Sequence, residues 1–336
     1  MLARLDGGKE RQDMRRLSVM LVSAVALAVA AGLGQGVPPG FDAASFARLG
    51  VGGRALAMAG AYVAVAEGPT AGYWNPAGLA AMPDFQVEGM YTNWLGAGIH
   101  LQHIGVAGYP PIGEERPRLR LGEASFTFAL NWLSVQVPDI PWLEEDGTYG
   151  TFTAWSHLVL LSVAWSIPQA PALSLGISGK LYHDRILEGT SLGLGMDFGL
   201  LWQGEIQQIP IQIGLCTTDL GATRVQWYGT TGEPVTYVPW LVRAGVAAWL
   251  WEERLLLAMA FEQSVDRPRF ERIRLGAEVR LEWLAVRAGW DNPLYGDPAR
   301  WMVGIGITPW DWARLEYTFL PSPLGDSHWI AFRTVF

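Results

Sequence analysis

The sequence predicts an all-β protein, a transmembrane antiparallel up-and-down β-barrel of about 14 strands, with an N-terminal plug segment that contains a short helix. Three observations lead there. Charged residues make up 17% of the 336 residues, against about 25% in a typical soluble domain, so much of the surface need not face water. Past residue 40 no apolar run is long and uncharged enough to be a spanning helix. A closed barrel is then the architecture that pairs every backbone N–H and C=O within a bilayer. Finally, segments of about ten residues that alternate apolar and polar side chains recur to the end of the chain.

The first element is a leader. Arg11, Arg15 and Arg16 precede an apolar stretch from Leu17 to Leu33, and small residues follow through Gly36. This is the charged, apolar, small-residue order of a cleaved secretory signal over residues 1–36. An uncleaved anchor is the alternative, because the stretch is near the lower limit for spanning. The adjacent pair Arg15 and Arg16 would suit a twin-arginine signal, but such a pair is common in ordinary n-regions. The single cysteine, Cys216, lies far from the leader, which argues against a lipid-anchored form and excludes an intramolecular disulfide. The net charge of −8 is the opposite of a nucleic-acid footprint. The 17 tryptophans suit aromatic girdles at the two membrane interfaces.

Residues 37–84 form the second element. The text SFARLGVGGRALAMAGAYVAVAEGPTAGYWNPAGLAAM from Ser45 to Met82 is rich in Gly and Ala and does not alternate. Asn75 is a good helix N-cap and Pro76 suits the first helical position, so a short helix is expected through Ala80 or Ala81, ending before Pro83. The segment is too apolar to hang in water. A barrel of this size has a lumen too wide for its own side chains to fill, so the segment is expected inside as a plug.

The barrel occupies residues 85–336. Between Pro171 and Asp184, Leu173, Leu175, Ile177 and Leu181 alternate with Ser174, Gly176, Ser178, Lys180 and Tyr182. Successive strand residues point to opposite faces, so one face is oily and the other polar or small. Ile273, Leu275, Ala277, Val279 and Leu281 likewise alternate with Arg272, Arg274, Glu278, Arg280 and Glu282. Strands are expected near 85–95, 98–109, 120–136, 151–166, 171–184, 190–203, 206–217, 237–251, 254–264, 269–281, 283–291, 299–308, 311–320 and 327–336. Tight turns near 168–170, 204–205, 252–253, 282 and 309–310 alternate with longer gaps at 137–150, 218–236, 292–298 and 321–326. Short periplasmic turns and longer external loops predict this. The gap 110–119 is long where it should be short, and the one near Gly96 is short where it should be long. Ile330, Phe332 and the terminal Phe336 share the last strand, which resembles the insertion signal read by the bacterial barrel-assembly machinery.

The run from Arg48 to Ala61, then Ala64, Val65 and Ala66, then Tyr73 to Leu79 (YWNPAGL) resembles the opening of the PorV/PorQ family, within the wider FadL-like outer-membrane barrels. Leu315 to Phe319 with Pro321, Leu324, Gly325, Asp326 and His328 is similar to that family's closing hairpin. Asp219, Leu220 and Gly221 are similar to its mid-barrel turn, with Asp in place of the usual Asn. The resemblance implies that Asn75, Pro76, Ala77 and Gly78 belong to an N-terminal hatch. It also implies one of two roles in the outer membrane: binding exported cargo proteins in type IX secretion, as PorV-like proteins do, or passive passage of hydrophobic molecules such as long-chain fatty acids, as FadL-like proteins do.

The remaining motifs carry little chemistry. Gly189 to Gly193 matches G-x-S-x-G around Ser191, but a nucleophile elbow needs a helix after the serine, and the following residues alternate like a strand. An enzyme would need a Ser/His/Asp set on neighbouring strands, and no such set is visible by spacing. His100 and His103 are three apart and so face opposite sides of a strand, which argues against a shared metal. His183 and Asp184 read as polarity at a strand end. No catalytic residue, metal or cofactor is expected. Arg272, Arg274, Glu278, Arg280 and Glu282 form a lumen polar cluster, read as mutual neutralisation across strands or, alternatively, as a docking point for a carboxylate or for the plug. Trp227, Tyr228, Tyr237 and Trp240 surround the longest loop, where they would meet a partner protein or the lipid headgroups.

Overall fold

The computed structural model describes residues 43–109, 119–121, 123–143, 147–267, 271–294 and 298–336. The leader and residues 37–42 lie outside them. Fourteen strands make the wall. The first seven are β1 (Gln86–Trp94), β2 (Ile99–Ala107), β3 (Ala124–Leu143), β4 (Tyr149–Ile167), β5 (Ala170–Ile186), β6 (Gly189–Ile206) and β7 (Ile209–Thr218). The second seven are β8 (Leu241–Leu250), β9 (Leu255–Ser264), β10 (Glu271–Arg280), β11 (Leu284–Pro293), β12 (Arg300–Trp310), β13 (Ala313–Leu320) and β14 (Ser327–Val335). Each pairs antiparallel with its neighbour in sequence. The sheet closes where β14 pairs with β1, from Gln86 opposite Val335 to Asn93 opposite His328. Closure removes the open edges that a bilayer cannot solvate.

Three further short strands explain where the expected pattern departs. Leu119–Leu121 pairs with Ala124–Phe126 of β3, on the same side of β3 that β2 occupies further along, where Ala107 faces Ala129. These residues therefore continue the line of β2 along β3, while the expected long gap at 110–119 lies almost wholly outside the described residues. Thr223–Tyr228 and Val235–Val238 form a hairpin, and the first of them also pairs with the outer end of β6. The expected loop after Thr218 is thus largely sheet that fills the gap where β7 ends. β3 also runs seven residues beyond its expected end. It passes a register shift between Val137 and Ile140, with Asp139 at φ 54°, and such bulges let a strand continue through residues that read as loop.

Alternation sorts the wall into two faces. Leu194 is 74% exposed and Leu161 is 64% exposed, while their chain neighbours Gly193 and Ser162 are buried. An outer face this apolar suits lipid rather than water. Trp251, Trp283, Trp310 and Trp312 are exposed at the end of the tight turns. Tyr91, Trp155 and Trp301 are exposed toward the other end, so both rims carry aromatic residues.

Residues 43–84 lie along the inner face. They contain helix α1 (Gly53–Ala57), helix α2 (Ala71–Trp74) and two 3-10 helices, Ser45–Arg48 and Pro76–Ala81. The backbone approaches the wall closely because the inward positions there are glycines. A Cβ on Gly176 would overlap Pro76, one on Gly199 would overlap Asn75, and one on Gly214 would overlap Val63. Gly276 and Gly289 make the same room for Met58, and Gly304 for Ala57.

Candidate functional site

Asn75 anchors the inner segment. Its backbone is extended, and its Oδ1 accepts from the Ala77 N–H at 3.2 Å, which caps the 3-10 helix that starts at Pro76. Its Nδ2 donates to the Val63 carbonyl at 2.8 Å and to the Leu200 carbonyl of β6 at 3.1 Å. One amide thereby ties the helix start, a distant part of the segment and the wall. The short helix expected here is a 3-10 helix, the tighter form that is common in short pieces. Ala77 is buried, and Gly78 admits the Ala66 carbonyl so closely that a Cβ would overlap it.

Arg54 at the start of α1 enters a charge network built by the wall. Its Nε and Nη2 bind both oxygens of Glu278 at 2.7 and 3.0 Å, the bidentate geometry to which guanidinium is suited. Its backbone N–H donates to Glu316 at 2.7 Å. Arg287 and Arg280 also reach Glu278, each at 2.6 Å. Glu67 lies 3.0 Å from Arg54 and 3.2 Å from Arg333, and Arg333 in turn holds Glu88 at 2.9 Å. Burial opposes charge on Glu67, but the guanidinium groups of Arg54, Arg333 and Arg314 outweigh it and hold its carboxyl well below the usual carboxylate range. Beside these groups lies a polar cavity of about 380 Å³, opening among the tight turns and lined by Glu67, Met82, Gln203, Arg280, Asp311 and Arg314.

Two other networks complete the interior. Glu262 joins Arg243 at 2.5 Å and Arg274 at 3.1 Å, and Asp291 joins Arg274 at 3.3 Å and Arg272 at 2.9 Å. Lys180 bridges Asp197 and Asp219 at 2.9 and 2.8 Å, and Tyr182 and Thr223 donate to Asp219. Of the five residues expected as one lumen cluster, Arg274 and Glu278 are buried inside and belong to different networks. Arg272 and Arg280 are half-buried at the two ends of β10. Glu282 is exposed in the turn before β11, because β10 stops at Arg280 and alternation no longer dictates direction. Sequence reasoning did not single out Arg54, Glu67, Glu88, Arg287, Glu316 and Arg333. A charge at an inward position between outward apolar residues, as Glu316 is between Leu315 and Tyr317 in β13, was the signal available.

Ile330 and Phe332 point outward from β14 and are exposed, and Phe336 packs beside Phe85 with ring centroids 5.9 Å apart. Ser191 sits on extended β6, where its Oγ donates to Asp184 at 2.7 Å. His103 is buried inside, 2.9 Å from Asn131 Oδ1, whereas His100 meets the Tyr91 hydroxyl on the outer face. Among the described residues no group of three or more His, Cys, Asp and Glu is placed to hold a metal. Trp240 donates from Nε1 to Thr217 at 2.6 Å, and Tyr228 is exposed.

Two apolar hollows mark the outer face. One of about 540 Å³ lies over Gly176 and Gly199, walled by Leu175, Phe198, Leu200 and Trp240. Asn75 and Pro76 stand directly behind those glycines. The other, of about 770 Å³, lies over Gly276 and Gly289 between Met259, Leu275, Trp290 and Trp301, with Met58 behind.

No protein-family model and no curated protein sequence matches the chain. Its fold is similar to solved barrels. The toluene transporter TodX of P. putida aligns at 11% identity, covering 85% of this chain and 99% of that one, with a TM-score of 0.55. The Ralstonia pickettii toluene transporter TbuX aligns at 13% identity over 85% and 98%, with a TM-score of 0.52. A Pseudomonas aeruginosa FadL homologue aligns at 12% identity over 85% and 98%, with a TM-score of 0.50. At these identities the likeness shows the architecture that the chain shares with them.

Proposed function

We propose that this protein is a passive channel for hydrophobic small molecules in a bacterial outer membrane. It would be exported through the 1–36 leader and inserted by the barrel-assembly machinery, with residues 37–84 as the plug. The observation that carries the reading is the apolar hollow at Gly176 and Gly199 with the Asn75–Pro76 turn behind it. There the wall is reduced to backbone, so a hydrophobic molecule dissolved in the lipid comes within one strand thickness of the inner segment. Hydrophilic solutes meet an interior occupied by that segment and by paired charges. The shared architecture with toluene transporters supports the same class of cargo. It bears on this role more than on the protein-cargo role that the PorV/PorQ resemblance implies.

Uptake tests the proposal. Intact cells producing the protein should accumulate labelled toluene or a labelled long-chain fatty acid faster than cells producing the Val242→Trp variant, which fills the outer hollow, at equal barrel abundance. Equal rates for both would sink it, and recovery of exported proteins bound to the barrel in native membranes would move the assignment to cargo binding.

A further inference from the structure

We propose that the outer face of β3–β6 carries a binding site for the phosphate of an outer-leaflet lipid headgroup, built from His157, His183 and Arg185. His157 on β4 and His183 on β5 stand directly opposite one another. Their rings stack with centroids 6.3 Å apart and planes 9° from parallel. Trp132 and Trp155 stack on His157 at 5.8 and 5.9 Å. Arg185 is opposite Trp155, one outward position further from the tight-turn end, and it is exposed.

The height of this cluster matches a headgroup. From His157 to the turn at Ile167, β4 presents only Val159, Leu161, Val163 and Trp165 outward. About ten residues, each rising about 3.3 Å on a strand tilted about 40°, span about 25 Å, the height of the apolar band of such a barrel. Beyond His157 the outward residues of β4 are Trp155, Thr153, Thr151 and Tyr149. The imidazoles therefore stand at the outer edge of the hydrocarbon, where stacked tryptophans fix them at the interface.

Hydrogen bonding assigns the donors. The Ser191 carbonyl, 2.8 Å from His183 Nδ1, can only accept, so Nδ1 carries the proton and Nε2 is left as the basic nitrogen. His157 Nδ1 is buried in the stack with no hydrogen-bond partner among the described residues, so Nε2 is the ring nitrogen left to donate toward a headgroup. A phosphate oxygen can thus accept from His157 Nε2–H and from Arg185. The outward neighbours are Ser134 and Gln136 on β3, Thr153 on β4, Leu181 on β5, and Thr190 and Leu192 on β6, none of them acidic. Asp184 points inward and accepts from Ser191, and Glu188 lies beyond Arg185 in the turn to β6.

This site does not depend on what passes through the barrel. The test is lipid retention by the purified full-length protein, read by native mass spectrometry with phosphatidic acid and phosphatidylcholine offered together. The wild type should prefer phosphatidic acid by about fivefold or more, the factor that one basic side chain contributes at an anionic surface. The triple variant His157→Gln, His183→Gln, Arg185→Gln should retain both lipids equally while keeping its strand spectrum. No preference in the wild type, or full preference in the triple variant, would overturn the site. Displacement of the lipid by millimolar inorganic phosphate would show a site for the free anion and overturn the lipid assignment.

Discussion

Asn75 Nδ2 reaches the carbonyl oxygen of Leu200 at 3.1 Å, across the space where neighbouring Gly199 has no side chain. The contact joins the turn that starts the last inner helix to a wall strand more than a hundred residues later. It depends on both residues at once, since a Cβ on Gly199 would overlap Asn75 Oδ1.

Two substitutions separate the parts of this contact. Gly199→Ala forces a methyl into a filled space and should cost about 1–3 kcal/mol. Asn75→Ala removes the cap and both amide bonds to the Val63 and Leu200 carbonyls, for a similar cost of about 1–3 kcal/mol. Thermal unfolding in detergent measures both. The Asn75→Ala barrel should also conduct ions more often in planar bilayers with an unchanged strand spectrum, because the segment loosens while the wall persists.

Arg54→Met should be among the more damaging changes to the inner segment. It leaves Glu278 with Arg280 and Arg287 but without its bidentate partner, and losing hydrogen bonds to a buried charge costs about 1.5–3 kcal/mol. Combining it with Glu278→Gln should recover part of that loss. Strict additivity in a double-mutant cycle would contradict coupling between the two side chains.

The charge on Glu67 sets an acid limit. Its carboxyl is held below the usual range in the folded protein by Arg54, Arg333 and Arg314, against the opposing effect of burial. A depressed folded value means the stabilisation is fully present above the unfolded value, about 4.3. It fades as pH falls from there toward the folded value. Melting temperature should therefore hold in this respect from pH 7 to about 5 and decline below about 4.3, and the decline should be shallower in Glu67→Gln.

Phe336 closes against Phe85 at the seam between β14 and β1. Deleting Phe336 should lower the amount of folded barrel in cells several-fold while refolding from urea into detergent proceeds to a similar yield. Equal loss in both settings would indicate a packing role in place of recognition by the assembly machinery.

Period-two alternation made the wall legible in the sequence. The fourteen wall strands fall close to their expected positions because each must turn an oily face to lipid, and that demand is written residue by residue. Asn75 followed by Pro76 marked its own helix start for the same local reason. Local rules failed at Pro138 and Asp139, which read as loop although a bulge carries β3 past them. They also missed that Leu119, Arg120 and Leu121 pair with the start of β3.

Tertiary structure alone decided which charges meet. Nothing local connects Arg54 to Glu278 or Arg333 to Glu67, because these partners lie more than two hundred residues apart and come together only when β14 closes on β1 around the inner segment. The pattern of side chains along a strand states which face is polar. The shear and closure of the barrel state which polar groups on different strands stand at the same height, and that relation has no counterpart in the order of the residues.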